Sequence, residues 1–388
     1  MSGTRPERVT IVSRLFRPEP GAAAYRLGTL ADELRERDYD VRVLTTVPPS
    51  GTRIEDDGLD VRRWPVLRDA GGNVRGYVQY LSYDIPLFFR LLCTRSDLVV
   101  VEPPTTTGVV SRIACALRRT PYMHYSGDVV STAAEGIGVN RTVVRILKAL
   151  ERWVLTGARR TLAVSDGVRS GVVALGAPER RVTVVGVGID TERFRVTEVD
   201  SPASGRKLVY GGTMSEIHGA EVFVRAFGRV AERYPDATLL MIGQGVDVPA
   251  LTELADRVAP GQVEFRPPQP PDVLSREFAT ASAALASVKP GAGYDFAFAT
   301  KALASLSAGA PVIYSGVGPM AGIIRDNDLG WAVGYDEEAV AGAMEKALAD
   351  VPGPGRRAEL SAWVECNHSL RTVAANAVDV VDEVVRGG

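Results

Sequence analysis

An α/β chain built as two doubly wound, parallel-sheet halves is the architecture this sequence predicts, and three observations carry it. Short apolar runs alternate with amphipathic segments along nearly the whole length, the pattern of strands buried between helices. The 388 residues, 45% of them hydrophobic, exceed what one ordinary core accommodates and suit two domains. The third observation is local: residues 281–288 read as a strand, 289–293 as a Gly-rich loop, 300–308 as a helix stopped by Gly309, and 311–314 as the next strand. A helix starting at Thr300, beside the carboxyl end of a parallel strand, gathers free backbone N–H groups and the positive end of a helix dipole. Lys301 adds a full charge to that first turn, where a cation is otherwise unfavourable by about 0.3–1 kcal/mol. A nearby anion accounts for it; a surface lysine with its head in water is the plainer alternative.

Taken in order, residues 9–13 form the first strand, 17–21 a turn, and 22–37 a helix with Leu27, Leu30, Ala31 and Leu34 at helical spacing. Strands follow at 41–45, 59–64, 97–102 and 122–125, with helices at 77–92 and 108–117. The helix at 141–155 carries Val144, Leu147, Leu150 and Val154 on one face and Arg141, Arg145, Lys148 and Arg152 on another. A core-packed helix with a solvated basic side is its plain reading, and a peripheral contact with anionic lipid the sharper one. Strands at 161–165 and 181–185 close an N-terminal domain, residues 1–197. Residues 198–206, polar and containing Pro202 and Gly205, read as a linker. The C-terminal domain, 207–358, repeats the alternation with strands at 207–211, 237–242 and 263–265 and helices at 219–233, 248–258, 271–279 and 337–350. Residues 359–388 read as terminal helices punctuated at Asn367-His368. Ligands of such sheets bind outside the carboxyl ends of the strands, so two halves on one linker are expected to face each other across a cleft.

A net charge of −2 gives no global electrostatic case for nucleic-acid binding. The three cysteines are scattered and the three histidines lie far apart, so no metal-ligand spacing occurs and a reducing cytoplasm is the expected compartment. The polar start, running directly into a strand, is not expected to be a signal peptide. No run of about 18 uncharged apolar residues occurs.

Several stretches in combination resemble glycosyltransferase family 4, the retaining, nucleotide-sugar-dependent branch of the GT-B fold. They are Arg181-Val-Thr-Val-Val-Gly-Val-Gly188 with Asp190 and Phe194; Leu208-Val-Tyr-Gly-Gly212 through His218-Gly219; Leu240-Met-Ile-Gly243-Gln-Gly245; and Gly309-Ala-Pro-Val-Ile313 with Gly318 and Gly330. The N-terminal half matches more loosely, through residues 18–21, Pro103-Pro104 and Asp128, and looks most like the subgroup with lipid-linked or cell-envelope acceptors. The resemblance implies two Rossmann-like domains facing across a cleft, with C-terminal helices returning to the N-terminal domain. It also implies transfer of a sugar from a nucleotide diphosphate, UDP by family frequency, to an acceptor hydroxyl in envelope or natural-product biosynthesis. No divalent ion or other cofactor is implied, and the partners are the nucleotide-sugar and a small-molecule or lipid-linked acceptor. A cytoplasmic chain with peripheral contact at the inner membrane face fits that subgroup. A nucleotide-sugar 2-epimerase of the same fold and a non-catalytic relative are the alternatives.

Departures from the family pattern bear on the site. Thr213 and His218 stand where the family usually has a diphosphate-gripping Arg and Lys, and its Glu-x7-Glu pair falls on Phe296 and Ala304. Asp295, one residue away, is a candidate to take over the sugar contact. The resemblance places the donor against Gly212, Thr213, Gly243, Asp295, Ala297, Phe298, Ala299, Thr300 and Lys301, with Pro268 beside the base. On the acceptor side it places Gly21, Ala22, His124 and Asp128, with Asp128 and His218 as the candidate catalytic residues. Asp128 also reads as a turn-forming aspartate, and His124 as a structural residue inside its strand.

Overall fold

The computed structural model describes residues 6–19, 21–69, 72–74, 76–136, 139–196, 206–291, 295 and 297–387. The expected linker at 198–206 lies outside them except for Arg206, as does Phe296. The chain divides into two compact units, Met1–Val187 with Leu370–Gly388, and Gly188–Ser369.

The first unit runs β1 (Arg8–Val12), α1 (Ala22–Glu36), β2 (Asp40–Thr46), β3 (Asp60–Trp64), α2 (Tyr77–Cys93), β4 (Leu98–Val101) and α3 (Thr105–Arg118). It continues with β5 (Tyr122–Ser126), α4 (Val130–Gly136), α5 (Arg141–Gly157), β6 (Arg160–Ala163), α6 (Asp166–Ala174) and β7 (Val182–Val184). All pairings are parallel, in the order β3-β2-β1-β4-β5-β6-β7. The order reverses direction between β1 and β4, which makes their carboxyl ends the switch point. β4 is Leu-Val-Val-Val, buried at every position because helices cover both faces. The helix expected at 108–117 begins earlier, at Thr105, directly after Pro104. The short helices α4 and α6 were not expected; α6 is capped by Ser165, whose hydroxyl accepts from the Val168 N–H.

The second unit runs β8 (Lys207–Gly211), α7 (Glu221–Val230), β9 (Thr238–Ile242), α8 (Val248–Val258), β10 (Val263–Arg266), α9 (Pro271–Ala279) and β11 (Ala283–Val288). Then come α10 (Thr300–Ser307), β12 (Val312–Gly316), α11 (Pro319–Asp326), β13 (Gly330–Val333), α12 (Glu337–Ala349) and α13 (Pro354–His368). The parallel order β10-β9-β8-β11-β12-β13 again reverses at the neighbours β8 and β11. The expected helix at 219–233 is shorter, because residues 215–219 are spent on a tight turn in which Ser215 O accepts from both His218 N and Gly219 N.

The last helix, α14 (Leu370–Val385), packs on α1 and buries Val373, Ala377, Val378, Val380 and Val381 in the first unit's core. Arg37 at the end of α1 reaches Asp379 (2.6 Å) and Asp382 (3.0 Å), and the Tyr39 hydroxyl donates to Asp382 at 2.5 Å. Those polar contacts are partly exposed and worth little; the valines hold the helix. Val378→Asp, which buries a charge with no partner, is therefore expected to cost about 3 kcal/mol or more, measured by urea unfolding.

Candidate active site

Both switch points carry unusual chemistry. In the second unit the loops after β8 and β9 lie on one another with almost no space between. Gly212 N–H donates to Ile242 O (2.9 Å), Met214 N–H to Gln244 O (2.9 Å) and Asp247 N–H to Met214 O (3.4 Å). A Cβ on Gly243 would stand 1.9 Å from Gly212 O, so no other residue fits without parting the loops.

Lys301 enters this place from the first turn of α10. Its ammonium donates to the Tyr210 hydroxyl at 2.6 Å and lies 4.4 Å from the centre of that ring. The hydroxyl in turn donates to Thr213 O at 2.7 Å. The residue is half-buried and its ammonium is withdrawn from water, which argues against the plainer alternative of a surface lysine with its head in water. Among the described residues no carboxylate lies within ion-pair distance of it, and burial pulls its pKa from 10.5 down to about 7. A cation shielded from water and without an ion-paired partner, beside a glycine-lined loop, is a place where an anion would be attracted.

His218 follows on the same loop. Its Nδ1 lies 3.0 Å from Ser215 Oγ, and its pKa drops to about 4 through burial and then through the Lys301 charge. It is therefore a neutral imidazole near pH 7, able to donate one hydrogen bond but not to replace a lysine's charge. Thr213 is exposed on the loop, and Pro268 is exposed after the edge strand β10. Asp295 is exposed and accepts from the Gly291 N–H at 3.1 Å. Ala297 O would meet a Cβ on Gly318 at 2.8 Å, the Phe298 ring lies 5.9 Å from that of His368, and buried Ala299 caps α10 ahead of Thr300. Ala304 is buried inside α10.

In the first unit, Gly21 caps α1, and Ala22 and Ala23 line a cavity of about 460 Å³ with Arg14, Arg26, Glu102 and Asp128. Buried Glu102 accepts from Ser13 Oγ (2.8 Å) and from Arg26, whose guanidinium lies 4.9 Å from the Tyr125 ring centre. Burial still pushes the Glu102 carboxyl up. Glu19, also on the cavity wall, takes a two-pronged bond from Arg68 at 2.8 and 2.9 Å. Arg14 differs: it stacks 4.1 Å from the Tyr80 ring centre and donates to Val74 O, yet has no carboxylate within ion-pair distance among the described residues, Asp84 and Glu102 acting on it only at longer range. Its Nε is buried without a partner, and burial lowers its pKa.

Asp128 is exposed at the rim and accepts from the Val129 N–H at 2.7 Å. His124 sits inside β5, buried, its Nδ1 without a partner, and its pKa falls to about 4. Tyr210, Arg14, Arg26 and Glu19 escaped the sequence reading. Each acts through a residue distant in the chain; the one readable hint was that Tyr210 directly precedes Gly211-Gly212.

Residues 21–188 match the "Glycosyl transferase 4-like domain" family and residues 205–350 match "Glycosyl transferases group 1". The D-inositol 3-phosphate glycosyltransferase of Corynebacterium urealyticum is 26% identical over 219 residues, covering 52% of this chain and 50% of that protein. The chain thus spans about half the length of the curated relatives it matches. Among solved structures, sucrose-phosphate synthase of Thermosynechococcus elongatus superposes with a TM-score of 0.73 at 16% identity, covering 98% of this chain and 100% of that one. Anabaena HepE in complex with UDP superposes with a TM-score of 0.71 at 15% identity, covering 97% and 100%. With two doubly wound units on the page and family matches across both, the chain belongs to the GT-B-fold glycosyltransferases of family 4 type.

Proposed function

We propose that the chain is a retaining glycosyltransferase that takes a sugar from a UDP-sugar and places it on a hydroxyl of an anionic acceptor. The observation that carries the donor half is Lys301, a buried cation without a counter-ion at the β8–β11 switch point. UDP as the nucleotide is supported by HepE, whose structures hold UDP and UDP-glucose. Lys301 neutralises the departing diphosphate, the neutral His218 donates one hydrogen bond to it, and the Gly212–Thr213 backbone approaches it closely. Pro268 borders the base, and Asp295 with residues 297–300 borders the sugar. The acceptor proton passes to the departing phosphate on the face it leaves, so retention needs no side-chain nucleophile. The reading assigns no divalent ion.

For the acceptor half, Arg14 supplies a cation that makes no direct ion pair among the described residues, attracted only at longer range by Asp84 and Glu102, on the wall of a cavity of about 460 Å³. The curated relatives are named for D-inositol 3-phosphate, an anionic polyol. Gly21 and Ala22 leave room at the start of α1, Asp128 orients the acceptor from the rim, and His124 supports that loop from within β5. Arg14→Ala is expected to raise the KM for a phosphate- or carboxylate-bearing acceptor about tenfold or more, leaving the UDP Kd unchanged. Equal KM values for charged and uncharged acceptors in the wild type contradict the acceptor assignment.

Incubation with a panel of UDP-hexoses tests the function as a whole. Free UDP and glycosylated acceptor are the expected products. A C2-epimerised sugar indicates an epimerase, and UDP-hexoses that bind but stay intact indicate a non-catalytic relative.

A further inference from the structure

The helices α2, α3 and α5 form one layer on the first unit's sheet: α2 packs on α3, α3 packs on α5, and their inner sides share a core with β1, β2, β4 and β5. On α2 the inner side is Tyr83, Leu87 and Leu91. Opposite it runs Tyr77, Leu81, Ile85 and Phe89, one residue per turn, exposed by 70, 50, 56 and 60%. Ile113 and Leu117 on α3 and Ile146 and Trp153 on α5 are exposed too. Scattered exposed apolar residues are ordinary; an unbroken stripe along four turns, continued on two neighbouring helices, is not.

The charges on this layer are one-sided. α2, α3 and α5 hold two carboxylates, Asp84 and Glu151, and both are buried and occupied. Asp84 accepts from Thr107 Oγ1 at 2.6 Å, and Glu151 accepts from the N–H groups of Val130 (2.9 Å) and Ser131 (3.1 Å). Arg112, Arg118, Arg141, Arg145 and Arg152 are the cations of α3 and α5 beside them, and Lys148 is partly neutralised by Glu135 at 2.6 Å. The Arg112 guanidinium lies 4.1 Å from the centre of the Trp153 ring, joining cation and apolar surface across the two helices. A chain of net charge −2 thus places no solvent-facing acid on α2, α3 or α5, and Glu135 of α4 reaches the layer through Lys148.

We propose that this layer is a membrane-docking face, with the α2 stripe seated among acyl chains and the arginines of α3 and α5 against anionic headgroups. An apolar surface bordered by five arginines, with no exposed acid on its three helices, fits an anionic bilayer. It does not fit a second copy of the same face, because a two-fold contact would set arginine against arginine.

Flotation of the full chain with vesicles of phosphatidylglycerol and phosphatidylcholine, against phosphatidylcholine alone, tests this. Binding is expected with the anionic vesicles only, and it should fall as salt rises. The double variant Ile85→Asp/Phe89→Asp should lose about tenfold or more of the binding. Arg141→Ser/Arg145→Ser/Arg152→Ser should lose a comparable share along with most of the salt dependence. All these residues are exposed, so thermal unfolding should match the wild type; should a variant unfold early, Phe89→Ser alone serves in its place. Wild-type protein that stays unbound, or variants that float equally well, overturn the proposal. So does a wild-type dimer in solution that Phe89→Ser dissociates in the absence of lipid binding.

Discussion

Lys301→Ala is expected to weaken UDP binding by about 2 kcal/mol, which is about thirtyfold. The reason is the missing counter-ion: the ammonium rests on a phenol and a ring face, and a diphosphate supplies the charge it lacks. The pH dependence separates this from a merely structural lysine. In the free protein Lys301 titrates at about 7, and a bound diphosphate raises that value again. Above pH 7 binding must therefore take up a proton, and affinity should fall by up to about tenfold per pH unit; below pH 6 this contribution is flat. Titration calorimetry across that range in buffers of different ionisation enthalpy reads both the slope and the proton. Lys301→Ala should lose the slope. Stability moves the other way. The folded pKa lies below the ordinary 10.5, so between pH 7 and 10.5 the unfolded chain holds the extra proton. The cost of burying the charge is full below pH 7 and fades as pH rises, so Lys301→Met should raise the Tm at neutral pH. Wild-type-like UDP affinity in Lys301→Ala at every pH moves the phosphate elsewhere.

Gly243→Ala should do the larger structural damage. At φ +152° its new Cβ would stand 1.9 Å from Gly212 O and 2.8 Å from Gly212 C, both backbone atoms that no rotamer change can clear. The two loops must part, breaking the Gly212 N–H to Ile242 O bond, at about 2–4 kcal/mol in urea unfolding and with loss of at least about tenfold in UDP affinity. Gly353→Ala, with nothing within 4 Å of its Cβ, is the control and should change neither.

The fold was readable where the physics is local. The apolar run of β4 and the nearly apolar run of β11, with Ser287 its one polar residue, mark central strands covered on both faces, and the Gly-rich loop before Thr300 marks the start of α10. What escaped depends on tertiary contact. Nothing around Lys301 in sequence foretells that the Tyr210 hydroxyl, at the end of β8, would accept a hydrogen bond from its ammonium and shield it from water. Arg14 reads as a polar residue after a strand until Tyr80 is laid beneath it. Edge strand β13 hid because it is only half-buried at each position, and α11 because its eight residues hold too few turns for a period to show. The Ser165-Asp166 pair that starts α6 is a capping signal legible in the sequence.

The central claim, sugar transfer with retention at a diphosphate-holding switch point, is tested most directly by proton NMR of the anomeric signal during turnover. With an α-linked UDP-hexose and an anionic polyol acceptor, the first product to form should carry an α-glycosidic linkage while UDP accumulates in equal amount, and Lys301→Ala should slow both together. A first-formed β-linked product, or a new C2 epimer with UDP still attached, contradicts it.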